Sequence, residues 1–467
     1  MLPNGWLEVL TADTFSQIST GTKKVKTKDC KAVGKFPVID QGQADIAGFV
    51  DDESKVINVV KPLVIFGDHT RAIKWIIKDF VPGADGTKVL EAANFLEPKY
   101  FYYQLRSLEL PDKGYARHFR YLNETSFKVA PLAEQQQITA KLDELLAQVD
   151  NLKTRLDTIS KILKRFRQSV LAAAVSGKLT EDWRAINGSS NTEVQIQQII
   201  ADRQKHLSNK KKPVDHLVNE EYEIPTQWEW VSLDALSAKI VDGTHHTPKY
   251  VKHGVPFISV KDIKNGKIDF SNTKFISVEE HIELCKRCKP EKGDLLITKS
   301  GTIGRTSIVK TDVEFSLFVS VALIKPSSDL VNINFIDLSL RKWVNEIDVS
   351  SRIVGSAIKN LHLVDMRVLA IPFPPIEEQA EIVARVEQLF TYADQIEQRV
   401  KAAQARVNHL TQAILAKAFS GELTADWRVQ NPELISGENS AAALLARIQE
   451  ERETVVVTKK TVKKEKA

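Results

Sequence analysis

The chain repeats itself. Residues 131–184 match residues 375–428 without a gap, and 19 of the 54 positions are identical. Both copies open on proline followed by a Glu-Gln pair (Glu134-Gln135, Glu378-Gln379). Both close on Ser-Gly-x-Leu-Thr-x-Asp-Trp-Arg (Ser176–Arg184, Ser420–Arg428). A tandem duplication constrains the fold strongly, because whatever one copy forms the other can form too. A weaker echo trails each copy. It consists of a polar stretch, a short helical segment (near 193–207 and 441–452) and a Lys-rich run (Lys210–Lys212 and the C-terminal tail).

Within each copy the apolar positions alternate four and three apart. The first reads Ile138, Leu142, Leu145, Val149, Leu152, Leu156, Ile159, Leu163, Phe166, Val170. The second reads Ile382, Val386, Leu389, Ala393, Ile396, Val400, Ala403, Val407, Leu410, Ile414. This is a sustained a/d heptad pattern, so each copy predicts a long coiled-coil helix. Pro131 and Pro375 with the acidic residues behind them suit a helix start. Gly177 and Gly421 suit a left-handed stop. The stretch Ile138–Val170 predicts a rod of roughly 48 Å at ~1.5 Å per residue. Two equivalent helices in one chain can supply each other's seam, and the long segment between them favours an antiparallel pair. The expected seam includes Leu142, Leu145, Leu152, Leu156, Leu163 and Phe166 against Val386, Leu389, Ile396, Val400, Val407 and Leu410.

The segments between the repeats differ in sequence but resemble each other in plan. Each opens on a Trp-bearing lead (Leu2–Trp6, Ile224–Trp228) and reaches a Gly-Thr (Gly21-Thr22, Gly243-Thr244). Short β-branched or aromatic runs at Val56–Ile65, Phe257–Val260, Asp294–Thr298 and Val319–Ile324 predict strands. In each segment an apolar strand feeds a polar, Gly-bearing loop that contains arginine: Gly67–Arg71 and Thr298–Arg305. Small residues let backbone approach phosphate, Thr, Ser and Lys donate to it, and Arg, Asn and His can read base edges. The candidate DNA contacts are therefore Thr22, Lys23, Lys24, His69 and Arg71 in the first segment, with Arg117, His118 and Arg120 from a basic-aromatic run. In the second they are Thr244, His245, His246, Lys249, Lys299, Ser300, Thr302 and Arg305, with Lys359 and Asn360 before the second repeat. Such loops are common as plain turns, so the pattern alone does not assign them.

The chemistry of an enzyme is not visible. No phosphate-binding Gly-x4-Gly-Lys-Ser/Thr and no dinucleotide fingerprint occurs. No Asn/Asp-Pro-Pro-Tyr/Phe motif of adenine methyltransferases is present either, since Phe373-Pro374-Pro375-Ile376 lacks the acid or amide. Cys285-Lys286-Arg287-Cys288 stands alone, whereas zinc needs two more ligands, so no metal is expected. Three cysteines in 467 residues exclude a disulfide framework and fit a reducing cytoplasm. No apolar run is long enough to span a membrane, and the first residues do not resemble a secretory signal. The 65 basic residues nearly balance 60 acidic ones, for a net charge of +5, which permits nucleic-acid binding without arguing for it.

The doubled motifs closely resemble the specificity (S) subunit of type I restriction–modification systems. The residues that carry the resemblance are Pro131–Ile138 and Pro374–Val383, each ahead of a heptad helix, and Lys164–Leu171 with its counterpart Thr411–Phe419. The closing Ser-Gly-x-Leu-Thr-x-x-Trp-Arg completes the set. The run Asn431–Ser440 is similar to the enteric type IA branch. The resemblance covers essentially the whole chain and implies an α+β fold. Two mixed target-recognition domains would be joined by two long helices in an intramolecular antiparallel coiled coil with pseudo-two-fold symmetry. The implied order is a recognition domain (1–130), a spacer helix (131–184), a linker with a short helix (185–220), a second recognition domain (221–374), a second spacer helix (375–428) and a short helix with a basic tail (429–467).

It also implies a non-catalytic subunit that reads a bipartite target on double-stranded DNA. Two methyltransferase subunits would methylate adenine and two restriction subunits would translocate and cleave. S-adenosylmethionine, ATP and Mg would be bound by those partners and not by this chain. The readings from other classes are a stand-alone DNA-binding or coiled-coil scaffold protein, and an enzyme with zinc at Cys285/Cys288.

Overall fold

The computed structural model describes residues 2–84, 86–111, 114, 116–188, 192–206, 218, 220–264, 266–346 and 361–450. Lys359, Asn360, Lys210–Lys212 and the basic tail after 450 lie outside the described residues. The chain divides into two compact units. One comprises 1–157 with 401–467, the other 158–400.

In the first unit a four-stranded antiparallel sheet is ordered Phe15–Ile18, Thr87–Ala92, Leu63–Gly67, Ile73–Ile76. A three-stranded sheet sets Phe36–Ile39 between Gly48–Val50 and Val81–Pro82, the latter pairing in parallel. Leu7–Leu10 pairs with Ser126–Val129 just ahead of the long helix. The central strand Leu63–Gly67 is buried at every residue, which its unbroken apolar run dictates. It starts at Leu63, so most of the expected run Val56–Ile65 is not strand, and Ile57 makes only an isolated bridge to Phe80.

The second unit repeats this topology. Its four-stranded sheet runs Ser237–Asp242, Val321–Pro326, Leu295–Thr298, Thr306–Ile308. Val255–Ile258 lies between Lys274–Ile276 and a parallel Ser316–Leu317, and Glu229–Ser232 pairs with Ala370–Phe373. The two variable segments thus share a fold despite their divergent sequences.

The repeats form helices Leu132–Val175 and Ile376–Ser420. Gly177 (φ 75°) and Gly421 (φ 82°) end them in the left-handed conformation. In the first unit Gln404 Nε2 donates to Asp157 Oδ1 (3.0 Å) and Lys141 Nζ to Leu423 O (3.1 Å). In the second, Arg167 reaches Asp394 (2.6 Å) and Glu397 (2.8 Å), and Arg385 Nη1 donates to Leu179 O (2.9 Å). As numbers rise on one helix they fall on the other, so the pairing within each unit is antiparallel.

The seam is not uniformly buried. Ile138, Leu142, Val149, Leu163 and Val170 are inside, as are Val386, Ala393, Val400 and Val407. Leu145, Leu156, Phe166, Leu389 and Ile396 are half-buried. Leu152 and Leu410, both expected in the seam, are 42% and 41% exposed. Leu142 packs into the same core as Phe101, Phe127 and Tyr100 of the first variable segment. Leu152 lies further along the helix, outside this core. Near the domain the buried stripe also takes in Leu146 (7% exposed), beside the half-buried Leu145.

A buried carboxylate fastens each sheet-bearing domain to the helices. Glu378, 1% exposed, accepts from Trp228 Nε1 (2.8 Å), Thr180 Oγ1 (2.7 Å) and the Arg184 guanidinium. Arg184 also donates to Gly177 O (2.6 Å). The first unit repeats this with Glu134, fully buried, and Trp6 (2.7 Å), Thr424 (2.6 Å) and Arg428 (2.5 Å). Arg428 reaches Gly421 O (2.6 Å). So the Glu of one repeat meets the Leu-Thr-x-x-Trp-Arg of the other, and the packed tryptophan is the one in the domain's lead. The following glutamines act alike. Gln135 Nε2 donates to Ala130 O and its Oε1 accepts from Glu97 N (2.7 Å), while Gln379 does the same with Pro374 O and Asn332 N (2.9 Å).

The short helices that follow the repeats also pack on their domains. Thr192–His206 contributes Ile196 and Ile199 to the core of the second unit. Residues 441–450 bring Ala441, with Leu444 and Ile448 beside it, to the core of the first.

Candidate nucleic-acid interface

Strand direction gathers the candidate loops at one end of each four-stranded sheet. In the first unit Ile18 lies opposite Val89 and Gly67 opposite Thr87. The loops 19–24 and 67–72 therefore leave the same edge. The segment 116–120 joins them, since His118 N donates to Asp68 O (2.7 Å). In the second unit Asp242 lies opposite Ala322 and Thr298 opposite Val321, so 243–249 and 298–305 emerge together. Leu361 N bonds Lys299 O (2.7 Å), the counterpart of the His118 contact.

The side chains at these edges fall into two groups. Thr22, Lys24, Arg117, Arg120, His245, His246, Lys249, Thr302 and Arg305 are exposed; Lys23, His69, Arg71 and Ser300 are half-buried. Several already have protein partners. Lys23 Nζ donates to Val56 O (2.7 Å), Arg120 pairs with Glu124 (3.0 Å), and Arg305 Nη1 donates to Ile263 O (3.3 Å).

Three candidates are buried and hold the loops instead of lining a surface. His118 turns its Nδ1 to Asp68 O (3.1 Å), and Thr244 Oγ1 bonds His246 Nδ1 (2.7 Å). Lys299 is 4% exposed, its ammonium 3.0 Å from Asp242. Asp242 also accepts from Arg287 (2.5 Å) and His245 (3.2 Å). Burial pushes the Asp242 carboxyl up, but hydrogen bonds and charge from Lys299 and His245 more than reverse it. It stays below the usual carboxylate range, an anion tying three loops together.

Sequence reasoning missed Asp242, Arg287 and Gln41. Gln41 braces the 67–72 loop through His69 N (3.1 Å) and the Thr70 hydroxyl, which donates to its carbonyl. The Asp242 neighbour Gly243-Thr244 was legible, but no local signal marks a residue whose partners lie 45 and 57 positions away. Lys299→Met should lower the stability of the second unit by about 3 kcal/mol, because it strips a partner from a buried carboxylate. Chemical denaturation reads this; an unchanged midpoint would mean that Arg287 and His245 suffice.

The cysteine pair is quiet. Cys285 Sγ lies 3.5 Å from His281 Nε2, whose ring bonds Ser316 Oγ (2.9 Å). All three cysteines are free thiols, and burial raises Cys288 to about 12. Among the described residues no three His, Cys, Asp or Glu side chains gather as a metal site.

The type I restriction modification DNA specificity domain matches residues 225–403. The EcoDI specificity subunit of Escherichia coli is 31% identical over 478 residues, covering 97% of this chain and 96% of that one. The chain belongs to the family of type I restriction enzyme specificity subunits. The EcoBI specificity subunit of Escherichia coli is 43% identical over 340 residues, 71% of this chain and 66% of the relative. The EcoKI specificity subunit of strain K12 is 39% identical over 335 residues, 69% and 63%. The matches to these two specificity subunits span about two thirds of their length, and they support the enteric type IA resemblance. A chain solved in a study of complex assembly and conformational transition of the type I R-M system has the same fold. Its TM-score is 0.57 at 19% identity, covering 90% of this chain and 98% of that one. Among the described residues no helix is long and apolar enough to cross a membrane.

Proposed function

We propose that this specificity subunit reads a bipartite DNA target, one half through 1–130 and the other through 221–374. The observation that carries the reading is the doubled recognition fold. Two domains of one topology differ at the loops leaving one sheet edge, and each is fastened to the paired helices by the same Trp–Glu–Thr–Arg clasp. Catalysis belongs to the partners in this reading. Two methyltransferase subunits, holding S-adenosylmethionine, modify adenine. Two restriction subunits, using ATP and Mg, translocate and cleave. The complex works in the cytoplasm, where free thiols persist. The modest net charge suits a subunit whose partners share the phosphate contacts.

Adenine methylation mapped by single-molecule sequencing, in cells with and without this chain and with the methyltransferase subunit present, tests the reading. A split motif that disappears with the chain supports it; unchanged methylation overturns it and favours a stand-alone DNA-binding protein. The helices also make a prediction as a ruler. Four residues inserted in one repeat helix add about 6 Å and turn the helix by about 40°. The spacer should change or methylation should cease, and normal activity at the original spacer would contradict the ruler.

A further inference from the structure

The hairpin after the central strand closes in the same way in both units. In the second, Thr298 N donates to Arg305 O (2.9 Å) and Gly304 N to Thr298 O (2.8 Å). In the first, Gly67 N donates to Ala72 O (2.8 Å) and Arg71 N to Gly67 O (2.8 Å). Arg71 therefore stands where the second unit has Gly304, and both are left-handed, with φ of 60° and 83°. This is the conformation that glycine adopts freely and that a β-carbon disfavours. Among the described residues Arg71 is the one non-glycine that adopts it.

The strain is imposed by the loop and not chosen by the arginine. Gln41 holds His69 N (3.1 Å) and Thr70, and Ala72 N donates to Thr70 Oγ1 (3.2 Å). At Gly304 the position has no room for a side chain, since a β-carbon there would lie 2.4 Å from Val344 Cγ1. At Arg71 there is room, and a long cationic fork occupies it. Its Nη1 donates to Leu110 O (3.3 Å), which steadies the half-buried stem. His69, with its ring on Ala116 O (3.2 Å), and the exposed Arg117 share this sheet edge. The nearby Asp68 is buried and turned inward, toward Phe119 N (2.9 Å) and Lys88 (4.0 Å).

We propose that Arg71 is a specificity-determining residue of the first recognition domain and reads a guanine edge in the major groove. The inference rests on the DNA-reading function proposed above. A steadied guanidinium suits the paired O6 and N7 acceptors of guanine, the commonest arginine contact to a base. A phosphate contact asks for charge alone, which a lysine elsewhere on the loop would supply without left-handed strain.

The test uses the full chain in complex with its methyltransferase subunits, as wild type, Arg71→Gly and Arg71→Lys, with methylated motifs sequenced and melting recorded. Both variants should lose discrimination at one base pair of one half-site, by roughly five- to 150-fold, while the other half-site stays strict. Arg71→Gly should melt no lower than wild type, because glycine relieves the left-handed strain. Lysine keeps the charge and loses the fork, which separates base reading from phosphate grip. An unchanged motif in both variants overturns the inference, as does a strict motif with lysine. Weakened methylation at every sequence together with a lowered melting point also overturns it, since Arg71 would then be a brace. A wild-type complex that marks no split motif fails one step earlier, at the DNA-reading function itself, and takes this inference with it.

Discussion

Glu378→Ala should cost the second unit about 3–5 kcal/mol, the range for removing one partner of a buried ion pair. Three donors converge on that carboxylate: the Trp228 indole, the Thr180 hydroxyl and the Arg184 guanidinium. Without it the guanidinium keeps Gly177 O but no counter-charge, in a site where its side chain is only 12% exposed. Glu378→Gln keeps one acceptor oxygen and should lose less. Urea titrations followed by tryptophan fluorescence measure both, and Trp228 lies at the perturbed site. Adding Arg184→Met to Glu378→Ala should recover part of the loss, since no charge then remains buried. A shift below about 1 kcal/mol for Glu378→Ala would mean that helix packing holds the domain unaided. Glu134→Ala is the matching test in the first unit, with Trp6, Thr424 and Arg428 as the stranded partners.

Exchanging residues 1–130 for the corresponding segment of another specificity subunit should rewrite one half of the target and leave the other half intact. The donor segment must keep a tryptophan at position 6, which bonds Glu134 (2.7 Å), and a proline at position 3, which packs on Gly421. Each mismatched base pair costs about 1–3 kcal/mol, so three changed pairs amount to about 3 kcal/mol or more. The original sites should therefore go unmodified while a hybrid motif is methylated throughout. Motif sequencing reads the outcome directly. A change in both halves would break the modular account, because the two domains would then be reading as one surface.

How much was legible beforehand depended on how local the physics was. The long helices were written in the heptads, which need only neighbours three and four residues apart. Their ends were written in Gly177 and Gly421, whose left-handed conformation follows from lacking a β-carbon. The duplication announced a common plan for the two halves. The strands were legible where apolar runs were short and bounded, as at Leu295–Thr298, and less so in the long run before Leu63.

The loops were legible as polar surface but not residue by residue. Lys299, Thr244 and His118 read as hydrogen-bond donors for DNA, yet the fold buries them against Asp242, His246 and Asp68. Leu152 read as seam, yet it is largely exposed. By itself the sequence determined the repeated helices, their caps and the family of the chain, because periodicity and motif are properties of neighbouring residues. Only the tertiary structure decided which charges are spent inside. It also decided that each repeat's glutamate clasps the other repeat's arginine, and that Arg71 stands in a glycine's place. Those facts depend on partners brought together across tens to hundreds of residues, and no local pattern encodes them.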